Sequence, residues 1–335
     1  MANIGERDRG QIVLVAAFAL AIVFVSLALI VNSAIFTENL ASRGETSGSE
    51  GALSMRSMVE TNVGTNLEAV NRQNDTSPSA LNASINQSIE NISLQTNQQQ
   101  IRSSRIVAVE NLASPERTPG QRIVQNDTSA FDSGTGGNYV IAEGIERDPA
   151  GNGTRAFRIN ASSVPVGNDS AFEIMVNQTG ATGNDNSYRV NIYDDSPGIH
   201  VRTIRNDGAS VDVADCEVDQ AGPTVEVDVT GGTVEGEPCP ALRTRDDGLN
   251  FHFGAGTDPS PSYDIYFHNA TAITGNFSMI VYDSGSNPSA VPDDPAVSQP
   301  FSDTAIYDLW VRYIYVTSDL QYETDIRVAP GEPDV

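Results

Sequence analysis

The sequence predicts a mainly β fold with an N-terminal α part: a single transmembrane helix, a helical stalk and an antiparallel β-sandwich domain beyond it. Three observations carry that expectation. Ile12 to Ile35 is a run of 24 residues without a formal charge. From Thr37 to about Arg105, apolar residues recur at three- and four-residue steps, the spacing of one helix face. From about Gly120 onward they alternate with polar residues, the period of a half-buried strand. These changes divide the chain into a cytoplasmic leader (1–10), a transmembrane helix (11–36), a polar helical stalk or hairpin (37–115) and one or two extracellular β-sandwich domains (116–335).

At about 1.5 Å per residue the apolar run makes about 36 Å of helix, enough to cross a hydrocarbon core of about 30 Å with some tilt. Only Ser26, Asn32 and Ser33 are appreciably polar, so the run lacks the polar stripe of a helix lying on an aqueous surface. It is longer than the apolar core of a cleaved secretory signal, and Phe36-Thr37-Glu38-Asn39-Leu40 offers no small-x-small cleavage site. Arg7 and Arg9 precede it closely, which places the N-terminus inside and the rest of the chain outside. Membrane lipid is therefore an expected partner.

In the stalk, Leu53, Met58, Val59, Val63, Leu67 and Val70 form one stripe, and Leu81, Ile85, Ile89 and Ile92 form a second. Ser77-Pro78 between them reads as an N-cap followed by Pro at the first helical position. The stripes are thin, so neither helix is expected to be stable unless it packs on its neighbour, on the sheets or on another copy. Gly44 to Gly51 carries three glycines and reads as a flexible joint, with a continuous helix through it as the alternative.

The β region offers twelve candidate strands. They are 139–141, 156–159, 172–176, 188–193, 200–204, 211–213, 225–229, 249–253, 263–268, 277–282, 309–317 and 322–328. Gly, Asn, Asp and Pro separate them, the pattern of an antiparallel sandwich or barrel. Trp310, Tyr313 and Tyr315 read as packing residues of one strand. The only cysteines, Cys216 and Cys239, flank a predicted strand and turn, and two cysteines in an exported domain more often pair as a disulfide, two free thiols being the alternative. Sequons for N-glycosylation begin at Asn74, Asn82, Asn86, Asn91, Asn126, Asn152, Asn160, Asn168, Asn177, Asn269 and Asn276, all beyond the apolar run.

Composition narrows the function. The chain has 19 basic and 44 acidic residues and a formal net charge of −25, which argues against a nucleic-acid partner. All the basic residues are Arg. Many carboxylates without Lys resemble the proteins of salt-loving archaea, where molar salt shortens the Debye length to about 3 Å and screens carboxylate self-repulsion. Without Lys there is no Walker phosphate loop. Gly134-Thr135-Gly136-Gly137 lacks dinucleotide-binding spacing, and no Gly-x-Ser-x-Gly elbow occurs. His200, His252 and His268 read as structural, and Asp194-Asp195, Asp246-Asp247 and Asp293-Asp294 as solvated carboxylates. The sequence thus points away from an enzyme and implies no cofactor, metal or small-molecule substrate.

Arg9-Gly10-Gln11-Ile12-Val13 resembles the processing site of archaeal type IV pilins and archaellins. In those families a short charged leader is cut after Gly, just before the apolar helix. The resemblance covers about residues 5–35 and implies cleavage between Gly10 and Gln11. Val15 stands where many bacterial pilins carry Glu. The small residues Ala17, Ala21 and Ala28 allow close approach of other helices, so copies of the chain or other pilin-like subunits become expected partners. The leading expectation is a non-enzymatic, glycosylated, membrane-anchored surface protein with a pilin-like stem. The alternative is a binding module or adhesin on a plain signal-anchor helix.

Overall fold

The computed structural model describes residues 5–333 apart from 74–76, 113–116, 133, 135, 148–151, 182–183, 220–221, 258–260 and 294–298. Within the first helix the described side chains are 18, 20–21, 23–32 and 49–71. Two helices are followed by a β region: α1 (Gly5–Asn71) and α2 (Pro78–Gln100). The strands are β1 (Ile106–Asn111), β2 (Arg117–Gln125), β3 (Tyr139–Glu146), β4 (Thr154–Ser163), β5 (Phe172–Gln178), β6 (Ser187–Asp195), β7 (Gly198–Asn206) and β8 (Val211–Val218). They continue with β9 (Val225–Asp228), β10 (Thr233–Val234), β11 (Glu237–Pro238), β12 (Ser262–His268), β13 (Thr274–Tyr282), β14 (Phe301–Val316) and β15 (Gln321–Val328).

The named strands pair antiparallel in two sheets. One has nine strands in the order β1-β14-β2-β13-β4-β9-β10-β11, with β15 added beside β14. The other has six, β3-β12-β5-β6-β7-β8. Inward side chains of both sheets build one apolar core in which Phe131, Phe172, Phe267 and Phe277 meet edge to face at ring distances of 4.9–5.5 Å. A second core lies between the helices and the nine-stranded sheet. There Val59, Val63 and Leu67 of α1 and Leu81, Ile85 and Ile89 of α2 pack with Val107 and Val109 of β1, Val311, Tyr313 and Tyr315 of β14 and Ile326 of β15. Helices with such narrow apolar stripes gain their stability from this docking rather than from propensity.

The sequence placed most elements, with four corrections. Backbone helix runs unbroken through Gly44–Gly51, where a joint was expected. A helical glycine costs only about 1 kcal/mol, and the helix is pinned just beyond by Tyr313, whose hydroxyl donates to the Ala52 carbonyl at 3.0 Å. Leu53 and Met58 are exposed, and Ala52 and Met55 take the inward positions instead. Residues 249–253 form no strand; Phe251 and Phe253 enter the core from turns, beside Gly254 and Gly256, both at positive φ. Strands begin before Gly120, and β1 lies inside the stretch expected to be helical. Ser77 and Pro78 do start α2, with the Ser77 hydroxyl bonded to that of Ser79 at 2.8 Å.

Candidate functional site

Helix α1 carries two distinct surfaces. At about 1.5 Å per residue its 67 residues span about 100 Å, and only the C-terminal third lies on the sheet. In the other part, Phe18, Leu20, Val23, Phe24, Leu27 and Ile30 are each 53–68 % exposed. Successive residues step by about 100° around a helix, so Val23, Leu27 and Ile30 point to one side while Phe18 and the equally exposed Val25 and Leu29 point to the opposite one, rather than along one stripe. Covering six such side chains is worth on the order of 10 kcal/mol, and the described chain supplies no cover. Among the described residues no helix is long and apolar enough to cross a membrane. Much of the 24-residue run, and with it Gly10 and Gln11 of the expected processing site, lies outside the described side chains.

The docked end of α1 is fixed by a polar latch. Arg155 of β4 has a fully buried side chain. Its Nη1 donates to Glu68 Oε1 of α1 at 3.1 Å and to the Pro330 carbonyl at 2.8 Å. Its Nη2 donates to the Ile306 carbonyl at 2.9 Å, and its Nε to the Tyr307 carbonyl. Burial pulls the Arg155 pKa below the ordinary arginine value, and the Glu68 carboxylate acts in the opposite direction. Glu68 also pairs with Arg72 at 3.4 Å and Arg158 at 3.7 Å, and Arg158 reaches Asp228 at 2.8 Å. One turn along, Asn71 mimics a strand: its Nδ2 donates to the Ile306 carbonyl and its Oδ1 accepts the Ile306 N–H, both at 2.9 Å. Ile306 sits where the β14–β2 register slips, which frees its backbone groups for the helix. Beside it, Arg327 binds Asp308 at 2.6 Å and Glu332 at 2.5 Å, and the Tyr307 hydroxyl donates to Glu332 at 2.7 Å. A groove of about 560 Å³ runs along this contact, lined by Glu60, Thr61, Gly64, Glu68, Arg158 and Pro330.

The other residues singled out by the sequence do not converge. Cys216 of β8 and Cys239, just after β11, form a disulfide with Cα atoms 5.6 Å apart. Because β8 and β11 are the edge strands of the two sheets, the bridge ties those edges together. His252 is buried beside Asn250, His268 lies 2.9 Å from Glu173, and His200 stacks on Tyr193 at 5.3 Å. Among the described residues no group of three or more His, Cys, Asp or Glu could hold a metal ion. Of the expected glycan acceptors, Asn152 and Asn177 are buried, and Asn74 lies outside the described residues. Sequence reading missed Glu68, Asn71 and Arg155. The available signal was charge and amide at positions beside apolar stripe or strand residues.

Residues 6–135 match the model of a family described as being of unknown function (DUF7261), so in that segment the chain is similar to members of that family. The match runs from the start of α1 through α2, β1 and β2. No curated protein and no solved structure matches the chain.

Proposed function

We propose that this chain is a non-enzymatic, membrane-anchored surface protein adapted to high salt, with a pilin-like stem. The apolar half of α1 sits in the membrane or packs with other copies in a filament, and the acidic β-sandwich stands outside. One observation carries this reading: a single continuous helix is apolar on every side at one end and locked to a β domain at the other. Such a helix joins an apolar environment to an aqueous one, and the latch keeps domain and stem in fixed relation. The Arg-Gly-Gln sequence ahead of the apolar run supports cleavage between Gly10 and Gln11.

The test is the N-terminus of the mature protein, read by mass spectrometry. Pilin-type processing yields Gln11 as the first residue. An intact start at Met1 or Ala2 removes the pilin-like part and leaves a binding module or adhesin on a plain anchor.

A further inference from the structure

We propose that Asn126 and Asn168 are the N-glycan acceptors of this chain, and that both stand at the tip of the sandwich farthest from the free half of α1. The inference rests on the extracellular placement proposed above. A glycan attaches at Asn Nδ2, is bulky and needs open solvent, and its acceptor motif includes the hydroxyl two residues on. Three described sequons, those of Asn126, Asn168 and Asn269, have both the Asn and the hydroxyl residue exposed and outside long helices and strands, and of these only Asn269 has its Nδ2 hydrogen-bonded to the backbone. Asn126 and Thr128 follow β2, while Asn168 and Ser170 bound the single turn between β4 and β5.

The other described sequons are compromised in identifiable ways. Asn152 and Asn177 are only 6 % and 4 % exposed. The Asn269 Nδ2, the atom a glycan would need, donates to the Ala171 carbonyl at 3.0 Å. Asn160 and Asn276 face each other directly on β4 and β13, with side chains about 5 Å apart, too close for two glycans. The hydroxyl of Ser162, in the Asn160 sequon, is tied to that of Thr274 at 3.0 Å. On α2, the charged Arg117 donates to the carboxamide oxygens of Asn82 and Asn86, whereas the Asn168 oxygen meets only the neutral Asn191 Nδ2, at 3.4 Å. The Ser93 hydroxyl of the Asn91 sequon accepts the Val109 N–H at 3.0 Å, which ties it to β1.

Strand register gives the location. Val124, two residues before Asn126, pairs with Phe301, the first residue of β14. Tyr313, near the other end of β14, holds Ala52, where α1 leaves the sheet. Twelve residues of strand separate these points by about 40 Å. Ser163 at the end of β4, which leads into the Asn168 turn, pairs with Thr274 at the start of β13, and Phe277 of β13 pairs with Gln125. Both acceptors therefore share the tip remote from the stem.

The experiment uses the full chain expressed in a salt-adapted archaeal host. Protease treatment of intact cells reports the side of the membrane, and glycopeptide mass spectrometry reports occupancy. Glycan mass on the peptides carrying Asn126 and Asn168, none on those carrying Asn152 and Asn177, and loss of most of the glycan mass in the N126Q/N168Q double variant are expected. A glycan on Asn152 or Asn177, or occupancy elsewhere with Asn126 and Asn168 bare, overturns the inference. A protease-accessible domain bare at every sequon overturns it while sparing the surface placement. A domain shielded until lysis overturns both.

Discussion

Between Phe18 and Val31, helix α1 exposes apolar side chains all round, whereas between Ala52 and Asn71 it buries one stripe and its remaining faces are polar apart from the exposed Leu53 and Met58. The backbone is continuous across both, so backbone geometry does not distinguish them. Side-chain distribution does. The docked half is stabilised within the chain, by Val59, Val63 and Leu67 against the sheet and by Glu68 and Asn71 against Arg155 and Ile306. The free half has no comparable partner among the described residues; on the proposed reading, lipid or other copies of the chain cover its apolar surface. The two halves should therefore respond to different perturbations, and variants can separate them.

The largest effect is expected from Glu68→Ala. It removes the carboxylate facing the buried guanidinium of Arg155, and breaking a buried ion pair costs about 3–5 kcal/mol. Denaturant unfolding of the folded domain should shift by that amount, while the share of the protein in the membrane fraction stays unchanged. A shift below about 1 kcal/mol, the range of an exposed ion pair, would mean that the latch does not hold the docked half.

Phe24→Asp probes the opposite half. A carboxylate at the centre of a spanning helix costs about 3 kcal/mol of insertion free energy, and the site is remote from both cores. Membrane retention should fall while the unfolding curve of the β domain remains superimposable on that of the parent. Equal retention would show that the free half is not embedded, and a destabilised domain would show that the halves are not independent.

The sequence revealed the free half and the sandwich more readily than their junction, for physical reasons. Period-two alternation located β5, β6, β12 and β13 because each has one face on the core. It missed β2, which contains Pro119 and Gly120, residues that ordinarily argue against a central strand. Pro119 is tolerated because it lies beside the register slip at Ile306–Asp308. Gly120 is required because a Cβ there would stand 2.9 Å from the Val281 carbonyl oxygen and 3.1 Å from Tyr307. Leu249–Phe253 misled in the other direction, since alternate aromatics can also enter a core from a turn. The latch was illegible because Glu68, Asn71, Arg155 and Ile306 are brought together only by the folded topology. The burial of Asn152 and Asn177 is likewise tertiary, so a sequon motif could not reveal it.

The smallest expected effect concerns the point where docking begins. The buried Tyr313 hydroxyl donates to the Ala52 carbonyl, and Tyr313→Phe removes that bond while keeping the ring in the second core. Ala52 lies inside continuous helix, so its carbonyl retains the helical partner four residues on. It is therefore not orphaned, and the cost should be near the ordinary net value of about 1 kcal/mol rather than that of an unsatisfied buried group. Because the bond lies at the edge of the contact, the loss should appear as faster amide exchange around residues 49–56, with protection near Asn71 unchanged. Exchange that rises equally along all of 52–71 would instead mean that the docked half opens as one cooperative unit. The boundary between the halves would then be set at the Glu68–Arg155 latch rather than at Tyr313.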